Sequence, residues 1–242
     1  GWQLVQKFGC FGCHEISGFD GTNPIGPDLR LEPATALLKA ALDANPNQLA
    51  GKMRKVGPSL AHVALKTNSD WLARWIRKPS DFRPTTRMPQ FFGLWDHLPG
   101  KGDADDAEKF EPLEVLAISH FLLQTSQPYA YLDPPSGITG PADEARGRVL
   151  FQERGCLACH SHNQFGDVED YRDPDEILQG PDLSNLAVKF DSPNGRRWLY
   201  SWIREPTRYH ARTVMPNLFL DPYQDREGNT IDPAAHLVPF LL

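Results

Sequence analysis

Apolar side chains along this sequence gather in short runs at helical spacing, and the runs come in pairs. Leu4 and Val5 follow Gly1 as Leu150 and Phe151 follow Gly147, and each run predicts a short helix with one apolar face. Trp71, Leu72, Trp75 and Ile76 stand at i, i+1, i+4 and i+5. They make a broad aromatic stripe along one side of a second helix, and Trp198, Leu199, Trp202 and Ile203 repeat it. Pro79 and Pro206 end those helices, and the next nine residues, rich in Pro, Thr and Arg, predict extended loops running to Met88 and Met215. Glu111 to Gln124, with Leu113, Leu116, Ala117, Phe121 and Leu123, predicts an amphipathic helix that closes the first copy.

The pairing extends beyond the helices. Gly9 and Cys10 answer Gly155 and Cys156, and Gly57-Pro58-Ser59-Leu60 answers Gly180-Pro181-Asp182-Leu183. Trp71 to Met88 and Trp198 to Met215 are both separated by 17 residues with no gap. One unit of structure is therefore present twice, which divides the chain into residues 1–126 and 144–242. Between them, Gln127 to Pro141 holds four Pro and two Gly in 15 residues, so 127–143 reads as a semi-rigid spacer. Two inserts distinguish the copies. Residues 33–55 carry a probable extra helix over 34–42, and residues 161–179 include six acids between Asp167 and Glu176 against the single Arg172. That acidic run reads as a solvated loop, with a docking patch for a basic partner as the sharper alternative; a calcium loop lacks the required spacing. Nothing before Gly1 matches the Pro141-Ala-Asp-Glu-Ala-Arg146 helix start, and Phe240-Leu241-Leu242 aligns with Phe121-Leu122-Leu123, after which the first copy runs on to Ser126. Both ends read as cut from something longer.

Composition narrows the classes. Of 242 residues, 40% are hydrophobic and 23% charged, which suits a soluble globular protein, and no stretch approaches the roughly 20 apolar residues of a membrane helix. The formal net charge is -6, with 14 basic and 14 acidic residues up to Ser126 and 11 against 17 beyond it. Nucleic acid is thereby disfavoured as a partner, and a basic protein surface is the natural complement.

All four cysteines lie in two matching motifs, Cys10-Phe11-Gly12-Cys13-His14 and Cys156-Leu157-Ala158-Cys159-His160. C-x-x-C-H is the attachment signature of a c-type haem: both thiols bond to the porphyrin and the His ligates iron. A thioredoxin-like dithiol is disfavoured, because His follows both pairs and neither lies in a βαβ pattern. Haem iron has a second axial position. Met88 and Met215, at equal offsets from the aromatic helices and each followed by Pro, are the candidates for it. Met53 has no counterpart and reads as a core residue. The remaining histidines, His62, His97, His120, His162, His210 and His236, do not align in pairs, which argues against two His ligands per iron.

The order Gly-x-x-Leu-Val/Phe, Cys-x-x-Cys-His, Gly-Pro-x-Leu, aromatic helix, Pro and Thr-x-Met resembles class I cytochrome c, present twice and covering nearly all of both halves outside the inserts and spacer. The resemblance implies an all-α fold, with two tandem class I domains each wrapped around one covalent haem c and the first and last helices crossing. It implies His14 with Met88 and His160 with Met215 as iron ligands. It further implies that Pro58 and Pro181 accept a hydrogen bond from the ligand His, and that Leu60 and Leu183 pack on haem. Trp75 and Trp202 stand near the Met sulfur, Thr86 and Thr213 approach a propionate, and Lys66 and Lys189 sit at basic propionate positions. Gly26-Pro27-Asp28-Leu29 offers a second candidate beginning 12 residues after His14, whereas Pro58 lies 44 residues away. Repeat alignment favours Pro58 and loop length favours Pro27.

The functional expectation is a non-enzymatic electron carrier with two haems. It would relay single electrons between redox partners of a respiratory chain, outside the cytoplasm in the periplasm, as part of a larger multihaem protein or complex. A di-haem enzyme such as a cytochrome c peroxidase is the alternative, disfavoured because two matching His/Met sites leave no iron open to substrate. A haem sensor, recognised by carbon monoxide binding to the ferrous state, is the third class.

Overall fold

The paired runs of the sequence become paired helices. The computed structural model describes residues 1–19, 32–33, 36–44, 53–54, 57–169, 172–173, 178–210 and 213–242. The chain is mostly helical and divides into two compact units, Gly1–Ala64 with Ser69–Pro128, and Leu65–Asn68 with Tyr129–Leu242.

Unit 1 holds α1 (Trp2–Phe8), α2 (Ala36–Ala44), α3 (Ser69–Arg77) and α4 (Lys101–Gln124), with a short antiparallel pair of β1 (Glu32–Pro33) and β2 (Met53–Arg54). Helix α1, at seven residues, is far shorter than the ~12–15 needed for a helix to persist alone in water. Packing holds it: Val5 is buried in a core with Trp71, Leu72 and Ile76 of α3 and Val115, Ile118 and Leu122 of α4. Each such side chain contributes roughly 1.5–3 kcal/mol by burial. Helix α4 begins ten residues before the predicted Glu111 and continues through Pro112. The acidic residues at its start, beginning with Asp103, suit the positive end of the helix dipole. The predicted insert helix is present as α2, displaced two residues towards the C-terminus.

Unit 2 holds α5 (Glu144–Glu153), α6 (Gly166–Glu169), α7 (Ala187–Phe190), α8 (Pro193–Arg204), α9 (Pro206–Tyr209) and α10 (Pro233–Leu241). The strands β3 (Tyr223–Gln224) and β4 (Thr230–Ile231) pair antiparallel, with Tyr223 opposite Ile231. Helix α8 starts where the Ser192 hydroxyl accepts the Gly195 N–H at 3.0 Å and Pro193 fills the first turn. Its stripe of Trp198, Leu199 and Ile203 is buried with Leu150 and Phe151 of α5 and Leu237, Phe240 and Leu241 of α10. The acidic run of the second insert falls partly outside the described residues.

The stretch expected to be a spacer forms no helix, but its first part belongs to unit 2. Tyr129, Tyr131 and Leu132 pack on that unit's core. Leu132 donates its N–H to Ser201 Oγ at 2.8 Å, and Arg197 grips Asp133 with two bonds of 2.7 and 2.6 Å. The Pro and Gly count concealed these three apolar side chains, which are worth more buried than exposed.

In each unit the first and last helices meet at a glycine. A Cβ at Gly1 would overlap Phe121 and stand 2.6 Å from the Ala117 carbonyl oxygen, and one at Gly147 would overlap the His236 carbonyl. Since that obstacle is helix backbone, Gly147→Ala is expected to cost about 1–3 kcal/mol, the range of overpacked sites. A denaturant midpoint equal to the parent's would show that the crossing is looser than this. Among the described residues no helix is long and apolar enough to cross a membrane.

Candidate functional sites

Each unit assembles its site from three pieces: the turn after the first helix, the Gly-Pro-x-Leu segment, and the loop after the aromatic helix. The turn comes first. Gly9 and Gly155 take left-handed backbone angles (φ 67° and 73°), a conformation costly for residues with a Cβ, and so stop α1 and α5. Cys10–Gly12 and Cys156–Ala158 follow as single 3₁₀ turns. The N–H of His14 then reaches the Cys10 carbonyl at 3.0 Å, and His160 does the same to Cys156 at 3.0 Å. Both cysteines and the histidine of each motif are thus folded onto one compact turn. The four thiols form no disulfide and are all half-buried.

The second piece runs beside the first through three hydrogen bonds, which recur in both units. Gly57 N–H donates to the Cys13 carbonyl (2.7 Å), Leu60 N–H to the Glu15 carbonyl (2.9 Å), and His14 Nδ1 lies 2.8 Å from the Pro58 carbonyl. In unit 2, Gly180 donates to Cys159 (2.9 Å), Leu183 to Ser161 (3.0 Å), and His160 Nδ1 lies 2.8 Å from the Pro181 carbonyl. A carbonyl oxygen can only accept, so Nδ1 carries the proton and the lone pair sits on Nε2, the atom that would ligate a metal. Pro27 lies outside the described residues; Pro58 is the proline that His14 reaches. Leu60 and Leu183 are half-buried against the cores of their units.

The third piece carries the methionines. Thr86 Oγ1 accepts the Met88 N–H and Thr213 Oγ1 accepts the Met215 N–H, both at 3.2 Å, fixing each loop by the same short turn. Trp75 stacks on Trp71 (5.3 Å) and donates its indole N–H to Met88 Sδ at 3.1 Å. Trp202 repeats the stack, on Trp198 at 5.3 Å, but not the hydrogen bond: its N–H does not reach Met215. Its flanking ring differs as well, being Tyr209 at 75° where Trp75 has Phe82 at 42°. The expectation that both tryptophans serve the Met sulfur therefore holds for Trp75 and is corrected for Trp202.

The electrostatics favour neutral sulfur. Burial raises the Cys10 thiol, and burial pushes Cys156 up to about 11, so both stay protonated near neutral pH. Nucleophilic or dithiol redox chemistry wants the opposite, a lowered thiol pKa. Among the described residues no group of three or more His, Cys, Asp or Glu side chains stands ready to hold a metal ion. One imidazole and one thioether per site cannot complete an iron's coordination. A metal held here would have to bring its own equatorial donors, which is what a porphyrin does, and the neutral thiols and lone-pair Nε2 fit such a group.

Other histidines have different work. His62 Nδ1 lies 3.0 Å from the Gln127 carbonyl, His236 Nδ1 accepts the Asp143 N–H at 3.0 Å, and His162 stacks on Phe240 at 4.7 Å with its pKa lowered by burial. Three features escaped sequence reasoning. Arg172 donates to the Leu157 and His160 carbonyls, so the one base of the acidic run is fastened to the second motif, and its being alone there was the available signal. Asp232 is completely buried on Tyr200 (2.7 Å). Lys66, in sequence part of the first copy, belongs to unit 2. No family model, curated protein or solved structure matches this chain.

Proposed function

We propose that this chain is a di-haem c-type cytochrome, two tandem class I cytochrome c domains that pass single electrons between redox partners. The observation that carries the reading is the frame built twice around His14 and His160. Two C-x-x-C-H turns are each braced by the same three hydrogen bonds, with the imidazole proton committed to a proline carbonyl. Bound haem would supply a one-electron ferric/ferrous couple. Cys10 and Cys13, and Cys156 and Cys159, would hold the two porphyrins through thioether bonds. His14 and His160 would offer Nε2 to iron, and Met88 and Met215 a soft sulfur on the other side, which favours the reduced state. The proline carbonyls keep each imidazole in one tautomer and orientation. With both axial positions filled by side chains, neither site leaves room for substrate at the metal, which supports a carrier over a peroxidase.

The role extends to setting. Covalent haem of this kind implies assembly outside the cytoplasm, in the periplasm of a bacterium. The acidic excess of the second half, 17 acids to 11 bases, would face a basic partner within a respiratory chain or a larger multihaem protein.

The test is direct. Purified after export in a host that attaches haem, the chain is expected to hold two covalent haems by the pyridine haemochrome assay. Its oxidised form is expected to show the near-infrared charge-transfer band of Met-ligated iron. One haem or none, or peroxide turnover well above that of free haem, would sink the reading.

A further inference from the structure

Unit 2 contains buried positive charge with no matching anion. Lys66, in the segment Leu65–Asn68, is only 8% exposed. Its ammonium lies 4.4 Å from the centre of the Tyr209 ring and 5.2 Å from that of Trp198, and among the described residues no carboxylate meets it. Burial, and then the nearby charge of Lys189, hold its pKa well below the ordinary lysine value. Lys189, on α7, is itself lowered to about 8 by burial. Beside them Trp198 Nε1 and Thr67 Oγ1 are buried without a hydrogen-bond partner.

Burying an ammonium costs several kcal/mol unless it is paired. Facing an aromatic ring returns about 0.5–2 kcal/mol, so two rings leave a deficit, which a second ammonium nearby enlarges. Two ammonium groups, an indole N–H and a hydroxyl share one complement: an anion with several acceptor oxygens.

We propose that Lys66, Thr67, Lys189 and Trp198 form an anion site in unit 2, and that its occupant is a carboxylate of the porphyrin held by Cys156, Cys159 and His160. This rests on the haem reading above. The cluster adjoins that site, since Trp198 stacks on Trp202, and Leu183 of the Gly-Pro-Asp-Leu segment packs on the same core. It also corrects a symmetrical expectation. Repeat alignment gives Lys66 to the first site and Lys189 to the second, whereas both belong to unit 2. A cation against that carboxylate opposes the extra positive charge of the oxidised state, so Lys66 raises the potential of the second centre.

The experiment is a redox titration of the haem-loaded chain carrying Met88→His, which displaces the first centre so that the second is read by itself. Adding Lys66→Met is expected to shift the second midpoint downward with two haems still bound, and Lys66→Arg to leave it near the parent value. Loss of the second haem in Lys66→Met but not in Lys66→Arg would support the site equally. An unmoved midpoint, or the same shift with Arg as with Met, overturns the proposal. Sodium acetate added to the parent is expected to change nothing. A midpoint that follows acetate, and stops following it in Lys66→Met, would place a solution anion there and overturn the porphyrin assignment. A parent chain without haem is a separate result, the failure of the functional reading itself.

Discussion

Met88→His is expected to lower the midpoint potential of one centre by ~0.2 V, a fraction of the roughly 0.8 V that axial ligands command. Met215→His is expected to do the same to the other. The reason lies in donor chemistry. A thioether is a weak, soft donor that favours ferrous iron, whereas an imidazole donates more strongly and favours the ferric state. At about 59 mV per tenfold change for one electron, such a fall moves the reduction equilibrium by roughly three powers of ten. Each substitution should also remove half of the near-infrared band, and the double variant all of it. The loops can carry the new side chains, because Met88 and Met215 are half-buried and their backbones are fixed through Thr86 and Thr213 and not through sulfur. A band and two potentials that survive both substitutions would mean that neither methionine is a ligand. The two centres need not respond alike. Trp75 donates to the Met88 sulfur and would donate to a His there only after moving, while Met215 has no such bond to lose.

What the sequence made legible was what it stated twice. The helices, the motif turns, the Gly-Pro-x-Leu brace and the methionine loops each appear in two copies at matched spacing, and chance does not hold a 17-residue interval constant across both. Features without a second copy were harder to read. His14 and Pro58 are 44 residues apart with an insert between them, so spacing could not choose between Pro58 and Pro27; a 2.8 Å contact does. Lys66 aligns with Lys189, but alignment reports descent of a position and not the unit in which its side chain is buried. The spacer was judged by its prolines and glycines, while its placement is decided by Tyr129, Tyr131 and Leu132. The Trp202 indole illustrates the reverse case. Equivalent residues at equivalent spacing differ in one hydrogen bond because a neighbouring ring changed from Phe82 to Tyr209.

Asp232→Ala is expected to destabilise unit 2 by about 2–4 kcal/mol, more than any other single change away from the haem motifs. Two losses combine. The Asp232 carboxylate caps α10 by accepting the Ala235 N–H at 3.1 Å, and losing a cap costs about 1 kcal/mol. The same carboxylate accepts the Tyr200 hydroxyl at 2.7 Å in a buried setting, and a buried donor left without its acceptor costs about 1–3 kcal/mol. That hydroxyl in turn accepts from Arg204 Nη1 at 2.9 Å, and Arg204 Nη2 binds Asp221 at 2.5 Å, so the carboxylate anchors a chain of polar contacts between α8 and α10. The first copy has Ala73 where the second has Tyr200, so this anchor belongs to unit 2 alone and no repeat could reveal it. Asp232→Asn keeps a cap and an acceptor and should lose less than half as much. Tyr200→Phe removes the stranded donor, so in a double-mutant cycle the pair should lose less than the sum of the single changes. Amide exchange in α8 and α10 reads the effect locally, because both helices open more readily once the anchor is gone. If exchange there is unchanged in Asp232→Ala, the polar chain contributes nothing to holding α8 on α10. The frame behind Trp198 and the anion site would then rest on apolar packing alone.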